Sequence, residues 1–238
     1  MESPDLSRYK AAILAGGKGT RLYPVTREIP KPLLPVKRKP IINYLVDLFL
    51  AYGIKEIGVL INQEFKDDFV WWQRRYYPGS RIVFFEEKEP LGTFGGLWLA
   101  KNWIGQNSFF LSNGDELKDI DLKKMANFHS ENHSLGTIAL VEVPNPQDYG
   151  VVVCSSNMVS EFLEKPENPP SKYINSGLYL FSKEIFNYHP GPQFMMIEKD
   201  IFPNLAKENK LAGFKFNGKW MDCGTWERYS EALEKWKV

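Results

Sequence analysis

Residues 12–36 read AILAGGKGTRLYPVTREIPKPLLPV, and the organisation of the chain can be worked out from this stretch outward. The apolar run Lys10–Leu14 ends in Gly16, Gly17 and Gly19, the pattern of a buried strand entering a tight loop. Glycines there let bare backbone approach a phosphate chain and point N–H groups at its oxygens. Thr20 adds a hydroxyl, and Arg21 a guanidinium fork matched to phosphate oxygens. Neither the Walker A spacing GxxxxGK[ST] nor the dinucleotide pattern GxGxxG occurs. A glycine turn after a strand is by itself only a turn, so the glycines do not decide the matter. Lys31 does more, because Pro30 and Pro32 on either side stiffen the chain around a cation. A rigid lysine beside a phosphate loop reads as catalytic.

Beyond this stretch, short apolar strands alternate with helical patterns. A helix is expected over 40–52, ended by Gly53, and others near 65–76, 94–103 and 122–132, with strands at 56–61, 82–85 and 108–111 between them. After Pro144 come strands at 150–154, 159–163, 173–181 and 211–216, and helices near 198–209 and 226–236. The expected class is α/β, with a Rossmann-like mixed but mainly parallel central sheet flanked by helices. Ligands then belong at the carboxyl ends of the strands. One continuous domain with a second lobe is expected, the texture changing beyond about Pro144.

Composition removes several functions. Over 238 residues, 30 Lys and Arg face 29 Asp and Glu, so no overall field attracts nucleic acid or an anionic membrane. No apolar run approaches the roughly 18 residues of a membrane span, and MESPDLSRYK lacks the apolar core of a leader peptide. Cys154 and Cys223 are too few for a disulfide framework and lack zinc-site spacing, so a reducing cytoplasmic setting is expected. His129 and His133 lack the HExxH order and read as solvent-facing, and WWQRRYY at 71–77 reads as an amphipathic helix end or a subunit contact.

The stretch from Gly16 to Val36 resembles the signature GGxGTRLxPxTxxxPKPLxPV of the sugar-1-phosphate nucleotidyltransferases, also called NDP-sugar pyrophosphorylases, at every fixed position. The resemblance continues through 88–97, 111–115, 161–166, 174–180 and 218–225. It implies a nucleotide-binding half over about residues 10–145 and a sugar-binding half over about 146–238, and transfer of a nucleotidyl group from an NTP to a sugar 1-phosphate, with release of pyrophosphate. It also implies a Mg²⁺ cofactor shared by Asp115, in FFLSNGDE, and Asp222, in GKWMDCGT. Read alone, each aspartate is equally a loop or capping residue.

Other roles come from the same resemblance. Arg21 would hold the departing pyrophosphate and Lys31 the charge at the α-phosphoryl. Gly16, Gly17, Gly19, Thr20, Gly92, Thr93 and Asn113 would line the nucleotide. Lys165 would hold the sugar phosphate, Glu164 would accept from sugar hydroxyls, and Gly150 and Asn175 would approach the sugar. For an isolated E-K-P, a surface ion pair is the alternative. The segment 89–97, EPLGTFGGL, resembles the LGTxG form of guanylyl-transferring members. Guanine presents two N–H donors on one edge, which the acceptor-only carboxylate of Glu89 could meet. The phrase 196–225 resembles the mannose- and heptose-1-phosphate guanylyltransferase branches, which makes GTP and one of those sugar phosphates the expected partners. Glucose-1-phosphate thymidylyl or uridylyl transfer stands as the alternative, and a nucleotide-sugar-sensing subunit without turnover as the non-enzymatic one. The resemblance also leads to an expectation of a homo-oligomer and of no C-terminal β-helix domain.

Overall fold

The computed structural model describes residues 4–189 and 191–237. The apolar run before the glycines is β1 (Lys10–Ala15), in which Ala11, Ala12 and Ile13 have no solvent contact. The proline-rich stretch after it lacks the donors to extend a sheet. It folds into 3₁₀ turns at Thr20–Leu22, Val25–Arg27 and Lys31–Leu33, then a ribbon of β2 (Pro35–Val36) and β3 (Lys39–Pro40). Helix α1 (Ile41–Ala51) buries Ile42, Leu45, Val46 and Phe49, and Gly53 at φ 84° turns the chain out of it. Next come β4 (Glu56–Asn62), α2 (Lys66–Tyr76), β5 (Arg81–Glu87), α3 (Gly92–Gly95), α4 (Lys101–Ile104), β6 (Phe109–Asn113), β7 (Glu116–Lys118) and α5 (Leu122–Glu131). The remainder is β8 (Gly136–Glu142), β9 (Gly150–Ser155), β10 (Met158–Glu164), β11 (Tyr173–Phe181), α6 (Phe202–Lys207), β12 (Leu211–Lys215), β13 (Trp220–Asp222) and α7 (Trp226–Lys235).

Nine strands form one sheet in the order β5-β4-β1-β6-β11-β8-β12-β10-β9. The chain leaves β1 toward β4 and β5 on one side and returns to place β6 on the other. The topological switch point, where open α/β sheets bind ligands, therefore lies between β1 and β6. One sheet face buries Phe49, Phe69, Trp72 and Phe110, and the other buries Phe94, Phe109, Tyr179, Phe181 and Phe202. A third apolar cluster, with Leu22, Leu34, Leu117, Cys223 and Trp236, anchors the segment after the glycines to the β7–β13 ribbon and α7.

The expected mainly parallel sheet needs correction. Parallel pairing holds across β5-β4-β1-β6 and between β8 and β12, whereas β11 runs antiparallel to both neighbours and β9, β10 and β12 are joined by antiparallel pairs. The short turn between β9 and β10 allows a hairpin, which a crossover connection would not. Strands from both expected halves share this one sheet.

Two helices also differ from expectation. The run 94–103 is broken into α3, a 3₁₀ segment Gly96–Ala100 and α4. Two glycines in this run sit at close approaches: a Cβ on Gly96 would collide with Glu87 Oε1, and one on Gly95 with the Gln193 carbonyl oxygen. The run 198–209 opens with a π-helical turn, Ile197–Ile201, and becomes α-helical only at α6, whose second residue is Pro203. Strand β8 and the ribbon strands β7 and β13 are not among the elements expected from sequence. Among the described residues, no helix is long and apolar enough to cross a membrane.

Candidate active site

At the switch point, Gly114 N donates to the Leu14 carbonyl at 2.9 Å, so the ends of β1 and β6 are joined where the glycine loop begins. Gly19, at φ 63°, takes a left-handed conformation that favours glycine, and Thr26 Oγ1 holds its carbonyl at 2.8 Å. The loop borders a cavity of about 430 Å³. Gly16, Gly17, Gly19, Thr20 and Arg21 line it, as do Lys31, Gly92, Thr93, Asn113 and Asp115. The residues expected around a nucleotide are thus brought together from four separate segments, with one exception.

The exception is Glu89, which is exposed and lines neither this cavity nor its neighbour. β5 ends at Glu87, and it is the Glu87 carboxylate that enters the cavity, against Gly96 and with Oε2 accepting from Leu91 N at 3.4 Å. Burial pushes its carboxyl above the ordinary value. The sequence signal for Glu87 was its place at the end of an apolar strand run, two residues before the acid chosen from the motif.

A second cavity, of about 250 Å³, adjoins the first, and Arg21, Asn113, Asp115, Met196 and Glu198 line both. Gly150, Glu164, Lys165, Asn175 and Asp222 line the second, so all the residues expected at a sugar are in one place. Lys165 combines both readings of E-K-P: it pairs with Glu164 at 3.7 Å and faces the cavity. The Asn175 amide is partly engaged within the protein, with Nδ2 donating to the Tyr179 hydroxyl at 2.9 Å and Oδ1 accepting from Gly177 N at 2.9 Å, each using one of the two bonds that atom can make.

Asp115 and Asp222 meet because β7 and β13 pair antiparallel with Asp222 opposite Glu116, and Cys223 N donates to the Asp115 carbonyl at 3.2 Å. Lys31 Nζ forms an ion pair with Asp115 Oδ2. Burial works against charge on both partners, yet their mutual attraction wins. It holds the Asp115 carboxyl below the usual range and, with help from Asp222, the Lys31 ammonium above its own. Asp222 Oδ1 accepts from Gly224 N, and its Oδ2 accepts from Arg228 Nη1 at 2.7 Å.

Among the described residues, no cluster of three or more His, Cys, Asp or Glu side chains offers a complete metal cage. Two carboxylates on one ribbon, beside a loop suited to phosphate, are nevertheless the donor set Mg²⁺ uses when substrate oxygens and waters supply the rest. Asp115 and Asp222 fit that ion.

Behind them lies a buried network with no counterpart in the sequence reading. Lys118 Nζ, without solvent contact, donates to Ser176 O at 2.8 Å, Ser112 Oγ at 3.2 Å and Glu116 Oε2 at 3.2 Å. Glu116 also accepts from Asn113 Nδ2 at 2.9 Å and Trp220 Nε1 at 2.8 Å. Burial pushes the Glu116 carboxyl up to about 7 and the Lys118 ammonium down. Glu198, bonded at 2.8 Å by the Thr93 hydroxyl, is likewise raised by burial. Glu116 and Lys118 pair within one strand, and the groups that complete their hydrogen bonding, Ser176 and Trp220, come from elements distant in sequence.

Cys223 is buried, and burial raises its thiol, which fits a packing role. His129 requires correction: it is buried, with Nδ1 2.8 Å from Thr137 Oγ1 and Nε2 3.2 Å from Ser182 Oγ. Those hydroxyls give the ring polar partners inside the fold, while His133 is exposed as expected. Trp71 is exposed and Trp72 buried, the amphipathic split expected of WWQRRYY.

Comparison with known proteins agrees with this geometry. A family model described as Nucleotidyl transferase matches residues 10–237. The mannose-1-phosphate guanylyltransferase catalytic subunit beta of Xenopus tropicalis is 38% identical over 229 residues, covering 90% of this chain and 61% of that protein. The mannose-1-phosphate guanyltransferase of Saccharomyces cerevisiae is 34% identical over 223 residues, with the same coverage. The chain thus spans about 61% of the length of the curated relatives it matches. Among solved structures, HddC from Yersinia pseudotuberculosis complexed with GMP-PN superposes with a TM-score of 0.82 at 31% identity, covering 96% of this chain and 100% of that one. A Bacillus anthracis structure named for glucose-1-phosphate thymidylyl transfer, in complex with sucrose, reaches a TM-score of 0.87 at 26% identity, covering 97% of each chain. A match that begins at β1 and runs through α7 takes in both cavities and the ribbon between them, and this chain belongs to the nucleotidyl transferase family.

Proposed function

We propose that the protein transfers a nucleotidyl group from a nucleoside triphosphate to a sugar 1-phosphate and releases pyrophosphate, with GTP and mannose or heptose 1-phosphate as the preferred pair. The observation that carries this reading is the junction of the two cavities, where Arg21, Asn113 and Asp115 belong to both linings. Two polyanions bound on either side would meet there, with cations between them.

An oxygen of the sugar phosphate attacks the α-phosphorus in line, and the bond to the β-phosphate bridging oxygen breaks as pyrophosphate leaves. A phosphate monoester has a second pKa of about 6, so it arrives largely as a dianion and needs no general base. The remaining obstacle is repulsion between the reactants, which fixed charges and positioning overcome. Lys31, kept charged by Asp115, stabilises the charge at the α-phosphoryl, Arg21 holds the departing pyrophosphate, and Lys165 holds the acceptor phosphate. Backbone N–H groups of the glycine loop orient the chain of phosphates. Mg²⁺ held by Asp115 and Asp222 would supply further neutralisation of phosphate charge.

For the base, Glu87 replaces Glu89 as the group that accepts from the guanine N–H donors, because Glu87 lines the cavity and Glu89 does not. Relatives named for guanylyl transfer and a structural neighbour complexed with GMP-PN support that choice. The test is pyrophosphate release in Mg²⁺ with each common NTP against mannose, heptose and glucose 1-phosphates. GTP with mannose or heptose 1-phosphate is the expected signal. Preference for dTTP or UTP with glucose 1-phosphate overturns the base and sugar assignments, and no release with any pair overturns the reaction.

A further inference from the structure

The sugar-side cavity contains a guanidinium that none of the roles above uses. Arg228, in the first turn of α7, donates through Nη1 to Asp222 Oδ2 at 2.7 Å and through Nη2 to Asp148 Oδ2 at 2.9 Å. Its guanidinium carbon stands 4.5 Å from the centroid of the Tyr149 ring. Asp222 is a carboxylate of the reacting centre, whereas Asp148 and Tyr149 lead into Gly150 on the wall of the sugar cavity. That wall is joined to the next cation as well, since Lys165 N donates to the Tyr149 carbonyl at 3.0 Å. One side chain therefore spans the two parts of the site. Both Asp222 oxygens have donors, so a divalent cation arriving at this carboxylate competes with Arg228 for Oδ2.

We propose that Arg228 is a positioning residue whose guanidinium ties the sugar-side segment Asp148–Gly150 to Asp222, so that cation loading at Asp222 and seating of the acceptor sugar are coupled. This inference rests on the reading of the site given above. Without a cation, the clamp holds the segment against α7. Loading weakens the Nη1 bond, so the segment stays joined to Arg228 through Nη2 but is no longer anchored to Asp222, which loosens it for entry of the sugar phosphate. Lysine cannot substitute, because a single ammonium lacks the planar fork that meets two carboxylates at once.

The test uses the full chain and Mn²⁺ alone, followed by paramagnetic titration into the millimolar range, together with hydrogen exchange at the Tyr149 and Lys165 amides. Arg228→Ala should bind Mn²⁺ at least about fivefold more tightly, the effect of removing one unit charge at close range even in a water-like dielectric. It should also exchange faster at both amides. Arg228→Lys should bind Mn²⁺ less tightly than the alanine variant but exchange as fast. Asp148→Asn, which leaves the Asp222 bond in place, should loosen the amides and abolish their response to Mn²⁺. In the wild type, saturating Mn²⁺ should speed exchange at the two amides.

Unchanged Mn²⁺ affinity and exchange in Arg228→Ala, or no measurable Mn²⁺ binding by any form, overturns the proposal. Neither readout needs turnover. A wild-type enzyme that makes pyrophosphate while these readouts stay flat sinks the clamp alone. Absence of turnover with the clamp signals intact sinks the proposed reaction alone.

Discussion

The two cavities are built in opposite ways. The cavity proposed for the nucleotide is built around backbone: glycines of one contiguous loop and the ends of parallel strands β1 and β6, beside a lysine fixed between prolines. The cavity proposed for the sugar is mostly charged side chains, among them Asp148, Glu164, Lys165, Asp222 and Arg228, several bonded to one another. A backbone cradle suits a ligand part common to every NTP, because N–H groups read phosphate without regard to the base. A cavity of paired side chains can be re-specified one residue at a time, as suits a sugar that differs between relatives.

The largest expected effect lies at the junction. Lys31→Ala and Asp115→Asn should each lower kcat by at least about 100-fold, the scale of one preorganised charge contact. Near-normal turnover of both folded variants would remove the junction as the reacting centre. Next, Glu87→Gln should lower kcat/KM for GTP by about 30-fold, as expected for loss of a charge-assisted bond to the base edge. The same substitution at Glu89 should leave discrimination among NTPs unchanged, and the reverse pattern would return the base to the motif acid.

A third prediction concerns the antiparallel part of the sheet, where His129 joins α5 to Thr137 of β8 and to Ser182 just past β11. Burial lowers its folded-state pKa to about 4, against 6.5 for the unfolded chain. Between those values the unfolded state binds more protons, so stability is complete above pH 6.5 and falls as pH drops toward 4. At pH 5 the loss from this group should be about 2 kcal/mol relative to pH 7. His129→Asn should flatten that part of a denaturation series, and equal slopes for the two proteins would show that the ring does not titrate as described. The smallest effect belongs to Lys165, exposed at the rim. Lys165→Ala should raise KM for the sugar 1-phosphate by about tenfold, the scale of one exposed charge-assisted contact, with KM for the NTP unchanged. Equal changes in both constants would contradict a division of labour between the cavities.

The same asymmetry sets how much of the molecule was legible in sequence. The phosphate loop, Lys31 and the strand–helix alternation through β6 were readable because each depends on neighbours within a few residues. Glu89, the acid expected at the base, lies outside the cavity that Glu87 lines, because the motif sits on the turn while the strand before it delivers a carboxylate. The antiparallel order of β11 and the β7–β13 pairing depend on contacts between residues far apart in the chain, which periodicity does not encode. His129 and the Glu116–Lys118 pair were hidden for a related reason. A polar side chain reads as surface until its buried partners are known, and those partners come from other elements.

The Glu116–Lys118 pair also constrains how the sequence can drift. Loss of Lys118 alone leaves a buried carboxylate beside Asp115 with no counter-charge, and loss of Glu116 alone leaves a buried ammonium, each a costly change. Descendants of this chain that change one member therefore have to change the other with it. A mutational library varying these positions one at a time would record both as immutable and miss that they are constrained as a unit.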